Sequence, residues 1–250
     1  MRPFVTLGLI GALALSQSTA SLAQIAPTPA PTPAPAPARG VGQGENGDWA
    51  WLARYRDANQ PLLAKPDPKR VVFMGDSITQ GWAAQTFIKD NVHFVGRGIS
   101  GQTTPQMLVR FRSDVVALKP AVVHIMGGTN DVACNTGPET PEEIEGYVAG
   151  MVEIAKANGI KVVIASIPPA ADFPWHPGLA PGPKISALNV WLKDYAAKNH
   201  VVFADYWPAI ATPAGGMKPE YSKDGVHPNA DGYAAMAPIA QAAIAKALGR

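Results

Sequence analysis

Five short apolar runs alternate with amphipathic stretches along the chain, and this alternation restricts the fold more than any other feature. The runs are Val71–Met74, Val92–Val95, Ala121–Met126, Lys161–Ile167 and Val201–Ala204. They are rich in Val, Ile and Phe, nearly continuous in apolar character, and mostly flanked by Gly or Pro. Strands buried on both faces read this way, because neither face has to meet water. Between them lie helix signals. Thr140-Pro141-Glu142-Glu143 offers an N-cap threonine, a proline at the first helical position and a capping-box glutamate. Ile144, Val148, Met151 and Ala155 follow at helical spacing, and Gly159 stands where such a helix should stop. Ile185, Leu188, Leu192 and Tyr195 mark another helical face, and residues 230–248 supply the last helix. Strand–helix alternation predicts a five-stranded parallel sheet covered by helices on both sides, an α/β fold. Ligands of such sheets bind outside the carboxyl ends of the strands.

The amino-terminal part follows other rules. Met1–Arg2 carries one positive charge, residues 3–15 are mostly apolar, and Ser21-Leu22-Ala23 puts small residues at −3 and −1 of a cut before Gln24. This is the layout of a secretory signal peptide, expected over residues 1–23, with a secreted or periplasmic destination. Residues 27–38 read PTPAPTPAPAPA. Proline fixes φ and lacks an N–H, so residues 24–44 are expected to form an extended spacer with little to bury. No later stretch is long and apolar enough to span a bilayer.

About 205 residues remain from Glu45 to Arg250, enough for one well-buried domain. A net charge of +2 is too small to argue for nucleic acid or an anionic membrane as partner. Cys134 is the single cysteine, so no intramolecular disulfide is available, and it is expected as a small buried residue rather than a nucleophile. No zinc or calcium ligand spacing is present, and no metal or other cofactor is expected.

Four short segments carry the chemistry. Gly75-Asp76-Ser77-Ile78-Thr79 directly follows the first run, which displays Ser77 at the active edge of the sheet. Asp224-Gly225-Val226-His227-Pro228-Asn229 precedes the last helix. A serine hydroxyl needs a base to take its proton, and the base needs a carboxylate to fix its tautomer. Asp224 and His227, three apart around a glycine, can turn back on each other, while Asn229 can cap the helix behind them. His93, His124, His176 and His200 have no comparable neighbour, and His124, inside an apolar run, is expected in the core. Gly98-Ile99-Ser100-Gly101-Gln102-Thr103 follows the second run and Gly127-Gly128-Thr129-Asn130-Asp131 the third. Acyl transfer creates an oxyanion that pre-placed donors must meet. The Ser77 N–H, the Gly101 N–H and the Asn130 side-chain amide would make three.

Taken in order, GDSIT, GISGQTT, GGTND and DGVHPN resemble the SGNH hydrolases, also called GDSL esterases and lipases, over residues 70–237 or so. The resemblance implies a three-layer α/β/α, flavodoxin-like fold. It implies that Ser77, Gly101, Asn130 and His227 are the name-giving positions, with Asp224 completing a triad. In Gly96-Arg97-Gly98 the chain departs from relatives, which often carry Asn before the Arg. The implied reaction is hydrolysis of a carboxylic ester through an acyl-serine.

Substrate identity is written less clearly. The segment 168–183, PPAADFPWHPGLAPGP, is a long connection leaving the fourth run at its active end, and such loops are often functional. Phe173, Trp175 and His176 are expected to line the alcohol side of the pocket, where a flat indole suits a sugar ring; a rigid proline-rich surface loop with Trp175 packed inward is the alternative. Trp82 is expected in the core. The expected substrate is a small-molecule or glycan ester with a short acyl group, acetyl above all. A lysophospholipase or thioesterase is the alternative, and a non-catalytic binding protein on the same fold a more distant one.

Overall fold

The computed structural model describes residues 40–83 and 92–250. The expected signal segment 1–23 and most of the expected spacer lie outside the described residues. The elements follow in the order α1 (Arg56–Ala64), β1 (Arg70–Gly75), α2 (Ser77–Ala83), β2 (His93–Gly98), α3 (Thr104–Asp114), β3 (Val122–Met126), α4 (Thr129–Val132), α5 (Pro141–Ala157), β4 (Lys161–Ala165), α6 (Gly182–Lys198), β5 (Val202–Ala204), α7 (Trp207–Ile210) and α8 (Ala230–Leu248). The five strands are all parallel and ordered β2-β1-β3-β4-β5.

Alternate residues of each strand feed opposite cores, as a period of two requires. Val72, Met74, Val123, Ile125, Val162 and Ile164 face Met107 and Phe111 of α3, Ile144, Val148 and Met151 of α5, and Ile185, Leu188 and Leu192 of α6. Val71, Phe73, Val122, Val163 and Ala165 face Ile78 and Trp82 of α2 and Tyr233, Met236 and Ala240 of α8. Each wholly buried side chain of this size stabilises the fold by roughly 1.5–3 kcal/mol relative to exposure. Two faces covered by helices explain why the strands read as continuous apolar runs.

His124 lies in the second core, where its Nε2 is 2.7 Å from the Tyr206 hydroxyl and Phe73 stacks on the ring at 4.3 Å. Burial pushes its pKa down to about 3, so the imidazole is neutral. Trp82 is also wholly buried. Cys134 is only half-buried, with φ at 57° in the turn after α4.

The helix caps follow the residues. The Thr140 hydroxyl accepts from the Glu143 N–H at 3.2 Å, and the Glu143 carboxylate accepts from the Thr140 N–H at 2.8 Å. Asn229 caps α8 through the Gly232 N–H at 2.9 Å. Two strands differ from the apolar runs by more than a residue at an end. β2 continues to Gly98 through Arg97, which is buried because its guanidinium donates to Asn59 Oδ1 and lies over the Tyr55 ring. β4 stops at Ala165 because Asn189 of α6 takes both polar groups of Ile167, at 2.7 and 2.9 Å.

The domain also begins earlier than composition suggested. Gly42 and Gly44, expected in the spacer, are buried, and Gln102 Nε2 donates to the Gly42 and Ala50 carbonyls at 3.0 and 2.8 Å. Backbone groups hold this segment, so an apolar pattern has nothing to report there.

Candidate active site

Strand register gathers the chemistry at one edge. Gly75 pairs with Gly98 on one side and Met126 on the other, so β1, β2 and β3 end level and their loops converge. Gly98 permits this closeness. A Cβ there would sit 2.1 Å from the Gln80 N and 2.6 Å from the Asp76 carbonyl, so only glycine lets β2 press against the turn that displays Ser77.

Ser77 opens α2 and is partly exposed. Its Oγ lies 2.9 Å from His227 Nε2, and His227 Nδ1 lies 2.7 Å from Asp224 Oδ2. An imidazole so placed can take the hydroxyl proton while the carboxylate holds its tautomer and steadies its charge. The loop bearing both partners is fixed from within. Asp224 Oδ1 accepts the Val226 and His227 N–H groups at 3.0 and 2.8 Å. Ser222 Oγ lies 2.8 Å from the His227 carbonyl and 3.1 Å from Asp224 Oδ1, and accepts from the Gly225 N–H. Partial burial raises the Asp224 pKa, but the His227 and Val226 N–H groups and the imidazole outweigh it and hold the carboxyl well below the usual range. Asp224 is therefore an anion wherever His227 acts as base. Ser222 is a supporting residue that sequence reading missed, since a serine two positions before an aspartate has no distinctive pattern. Tyr233 of α8 donates its hydroxyl to the Ile78 carbonyl at 2.8 Å, tying the helix behind His227 to the helix of Ser77.

The oxyanion candidates border the same point. Gly101 adopts φ 80°, a left-handed conformation suited to glycine. Asn130, on α4, is buried, and its Nδ2 donates to the Gln102 carbonyl at 3.0 Å. The second Nδ2 contact, to Asp76 Oδ2, is 3.4 Å. That long contact is the one a developing oxyanion can displace.

The loop before α6 closes one side. Trp175 is 43% exposed, and its ring centroid is 5.9 Å from that of His227. His176, exposed, has Nδ1 2.8 Å from the Ala133 carbonyl, which its ring N–H can reach as donor. Phe173 does not line a pocket as expected. It is wholly buried in the core with Ile167 and Ala170 and stacks beneath Trp175 at 5.1 Å, because the core takes the ring without a polar group while the indole keeps its N–H at the rim. Val41, 60% exposed, sets its Cγ1 2.2 Å from where a Cβ of Gly101 would be. Among the described residues no cluster of three or more His, Cys, Asp or Glu could hold a metal ion.

Residues 73–235 match the family model of the GDSL-like lipase/acylhydrolase family. The chain belongs to this family. A candidate acylhydrolase of Bacteroides fragilis NCTC 9343 is 48% identical, with a TM-score of 0.76 over 80% of this chain and 99% of that one. A GDSL-like lipase of Bacteroides thetaiotaomicron VPI-5482 is 44% identical, with a TM-score of 0.73 over 78% and 99%. The uncharacterized lipoprotein YqeF of Bacillus subtilis (strain 168) is 31% identical over 120 residues, which cover 41% of this chain and 49% of that protein. The match thus spans about half the length of that curated relative. The family and these neighbours make the chain an ester hydrolase with the α/β fold of the GDSL acylhydrolases.

Three further carboxyls of this acylhydrolase lie near the site. Burial pushes Asp76 up to about 6 against the opposing Ile78 N–H and the neighbouring His227. Burial and the Asp131 charge push Glu139 up to about 7, and burial raises Asp131 as well. Asp131 Oδ1 accepts from the Thr104 N–H at 2.8 Å and from its hydroxyl. Asp131 Oδ2 and Glu139 Oε2 are both buried without a hydrogen-bond partner, and the two carboxyls lie close enough for the Asp131 charge to raise Glu139. Two carboxylate oxygens can bond only when one carries a proton.

Proposed function

We propose that this acylhydrolase cleaves carboxylic esters with Ser77 as nucleophile, His227 as general base and acid, and Asp224 as the carboxylate that orients it. The observation that carries the reading is the pair of contacts at 2.9 Å from Ser77 Oγ to His227 Nε2 and 2.7 Å from His227 Nδ1 to Asp224 Oδ2. His227 takes the Ser77 proton as Oγ attacks the ester carbonyl carbon. The negative charge on the carbonyl oxygen falls to the Ser77 and Gly101 N–H groups and the Asn130 amide. His227 then gives its proton to the leaving alcohol, and a second cycle, with water in place of the serine, releases the acid.

The preferred substrate in this proposal is a short-acyl ester, acetyl above all, of a bulky alcohol such as a sugar. Supporting it is the indole of Trp175, partly exposed beside His227, the group that protonates the alcohol. Its flat face offers dispersion contacts to a ring. The layout of residues 1–23, together with the lipoprotein relative, supports action outside the cytoplasm. Among the described residues no helix is long and apolar enough to cross a membrane.

The decisive experiment pairs p-nitrophenyl acetate hydrolysis with fluorophosphonate labelling. Wild type should turn over and be labelled at Ser77, and Ser77→Ala should lose both. Labelling that survives in the alanine variant, or that maps to Ser100 or Ser222, would overturn the assignment, and a wild type without turnover would point to a binding protein on this fold.

A further inference from the structure

Asn135 lies in the turn after α4, between Cys134 and Thr136, where the sequence offers only an Asn-Thr-Gly turn pattern. Every polar group of its side chain is engaged at the site. Nδ2 donates to Asn130 Oδ1 at 2.9 Å and to the Gly101 carbonyl at 3.2 Å. Oδ1 accepts the Trp175 indole N–H at 3.1 Å. The backbone N–H of Asn135 also donates to the Asn130 carbonyl at 3.0 Å.

These partners fix the amide's direction. Rotating the Asn135 amide by half a turn would set its oxygen against two other oxygens and its NH2 against the indole N–H. Only the observed direction satisfies all three. The same logic then passes to Asn130. Because its Oδ1 is held by Asn135, its Nδ2 must face Gln102 and Asp76, which is the direction an oxyanion donor needs. The other contact grips the carbonyl of Gly101, whose N–H is the neighbouring donor candidate. One side chain therefore ties two oxyanion donors together and connects them to the aromatic wall.

We infer that Asn135 is a positioning residue for acyl transfer, which aims the Asn130 and Gly101 donors and is itself held by Trp175. The inference rests on the proposed serine mechanism. Asn135 touches no reacting atom. Its effect arises because a donor aimed in advance costs no reorganisation as charge develops, whereas a swivelling amide spends part of its time with the wrong end forward. Misplacing a donor by about 1 Å costs on the order of 10²-fold. The effect belongs to the transition state and should appear in kcat rather than KM.

The test measures kcat and KM for p-nitrophenyl acetate, inhibition by a trifluoromethyl ketone that forms a tetrahedral adduct, and Tm, for wild type, Asn135→Ala, Asn135→Asp and Trp175→Phe. Asn135→Asp keeps an acceptor for the indole but replaces the donor with an oxygen that repels Asn130 Oδ1. Both Asn135 variants should lose roughly 10–100-fold in kcat and lose ketone affinity in parallel, with little change in KM or Tm. Trp175→Phe removes the indole N–H together with part of the ring, leaves the Asn135 amide in place, and should show a smaller loss of kcat and ketone affinity. A kcat within about twofold of wild type in both Asn135 variants would overturn the inference. So would a loss of kcat that tracks an equal fall in Tm in each. If wild type itself is not labelled at Ser77 by a fluorophosphonate, the serine mechanism fails first. Labelled wild type with unaffected Asn135 variants rejects this inference alone.

Discussion

Asn130 Nδ2 lies 3.4 Å from Asp76 Oδ2, so the oxyanion donor candidate on α4 faces the buried carboxyl adjacent to Ser77, the proposed nucleophile. The contact is too long to be strong, while the other N–H of the same amide is well placed on the Gln102 carbonyl at 3.0 Å. An oxyanion arriving between them takes the loose N–H without breaking a good bond. Asn130→Ala should therefore lower kcat by roughly 10²–10³-fold with little change in KM. Steady-state kinetics on p-nitrophenyl acetate checks this, and an unchanged kcat with a raised KM would make Asn130 a substrate-binding residue instead.

The Asp131–Glu139 pair predicts a pH dependence of stability. Glu139 is raised from 4.5 to about 7, so between these values the native state holds a proton that the unfolded chain has released. Stability then falls as pH rises through this window, because the unfolded state binds fewer protons than the native state. Neutral His124, depressed from 6.5 to about 3, works in the opposite direction, since its contribution is lost as pH falls. The informative quantity is the difference between variant and wild type. Glu139→Gln removes the titration while its amide can donate to Asp131, so the Tm of the variant relative to wild type should rise steadily from pH 4.5 to 7. A difference that stays flat across this range, measured by thermal melts in one buffer series, would show that the pair shares no proton.

Arg110 supplies a prediction about the scaffold beneath the site. Its guanidinium is fully buried and donates to the Gly75 carbonyl at 2.8 Å, to Gln102 Oε1 at 2.5 Å and to Asp114 at 3.2 Å. It thus joins the end of β1 to the loop of Gly101. Arg110→Ala leaves Asp114 buried, with Asn59 as its remaining side-chain hydrogen-bond partner among the described residues and Arg97 as the nearby positive charge, and should destabilise by about 3–5 kcal/mol. Arg110→Met with Asp114→Leu removes both charges and should recover much of that loss. Chemical denaturation measures both, and a single variant as stable as wild type would mean that water has reached the carboxylate.

The sheet and its helices were legible in the sequence because two-sided burial writes itself as continuous Val and Ile runs, and because the Thr140 and Asn229 caps are local. Ser77, Gly101 and Asn130 were legible for a similar reason, since each lies within a few positions of a strand end, while Asp224 and His227 stood out as a close pair just before the last helix. What escaped was built from tertiary hydrogen bonds. Asn135 and Ser222 look like ordinary turn residues until the fold brings Trp175, Gly101 and His227 beside them. Gly42 packs through its carbonyl, which no side-chain pattern records. Phe173 and Trp175 are two positions apart and chemically alike, so composition gave no reason to send one to the core and the other to the rim.

That division between Phe173 and Trp175 leads to the substrate. The Trp175 ring rests on buried Phe173 at 5.1 Å and is pinned by its N–H to Asn135, so it forms a rigid wall rather than a flap. Its neighbour is His227, which in the proposed mechanism delivers the proton to the leaving group, and this places the wall on the alcohol side of the ester. Val41 lies close to Gly101 and adds bulk beside that donor candidate. The fixed indole favours a flat, ring-shaped alcohol, which the proposal pairs with a small acyl group. Rates on acetyl, butyryl and octanoyl esters of one alcohol should fall with chain length. Trp175→Ala should raise KM for an acetylated oligosaccharide by roughly 10-fold, the loss of about 1.4 kcal/mol of stacking, and raise it far less for the acetyl ester of a small alkyl alcohol. A rate maximum at eight carbons or beyond, or rapid release of fatty acid from lysophosphatidylcholine, would instead assign the enzyme to lipid substrates and make the indole a surface for acyl chains.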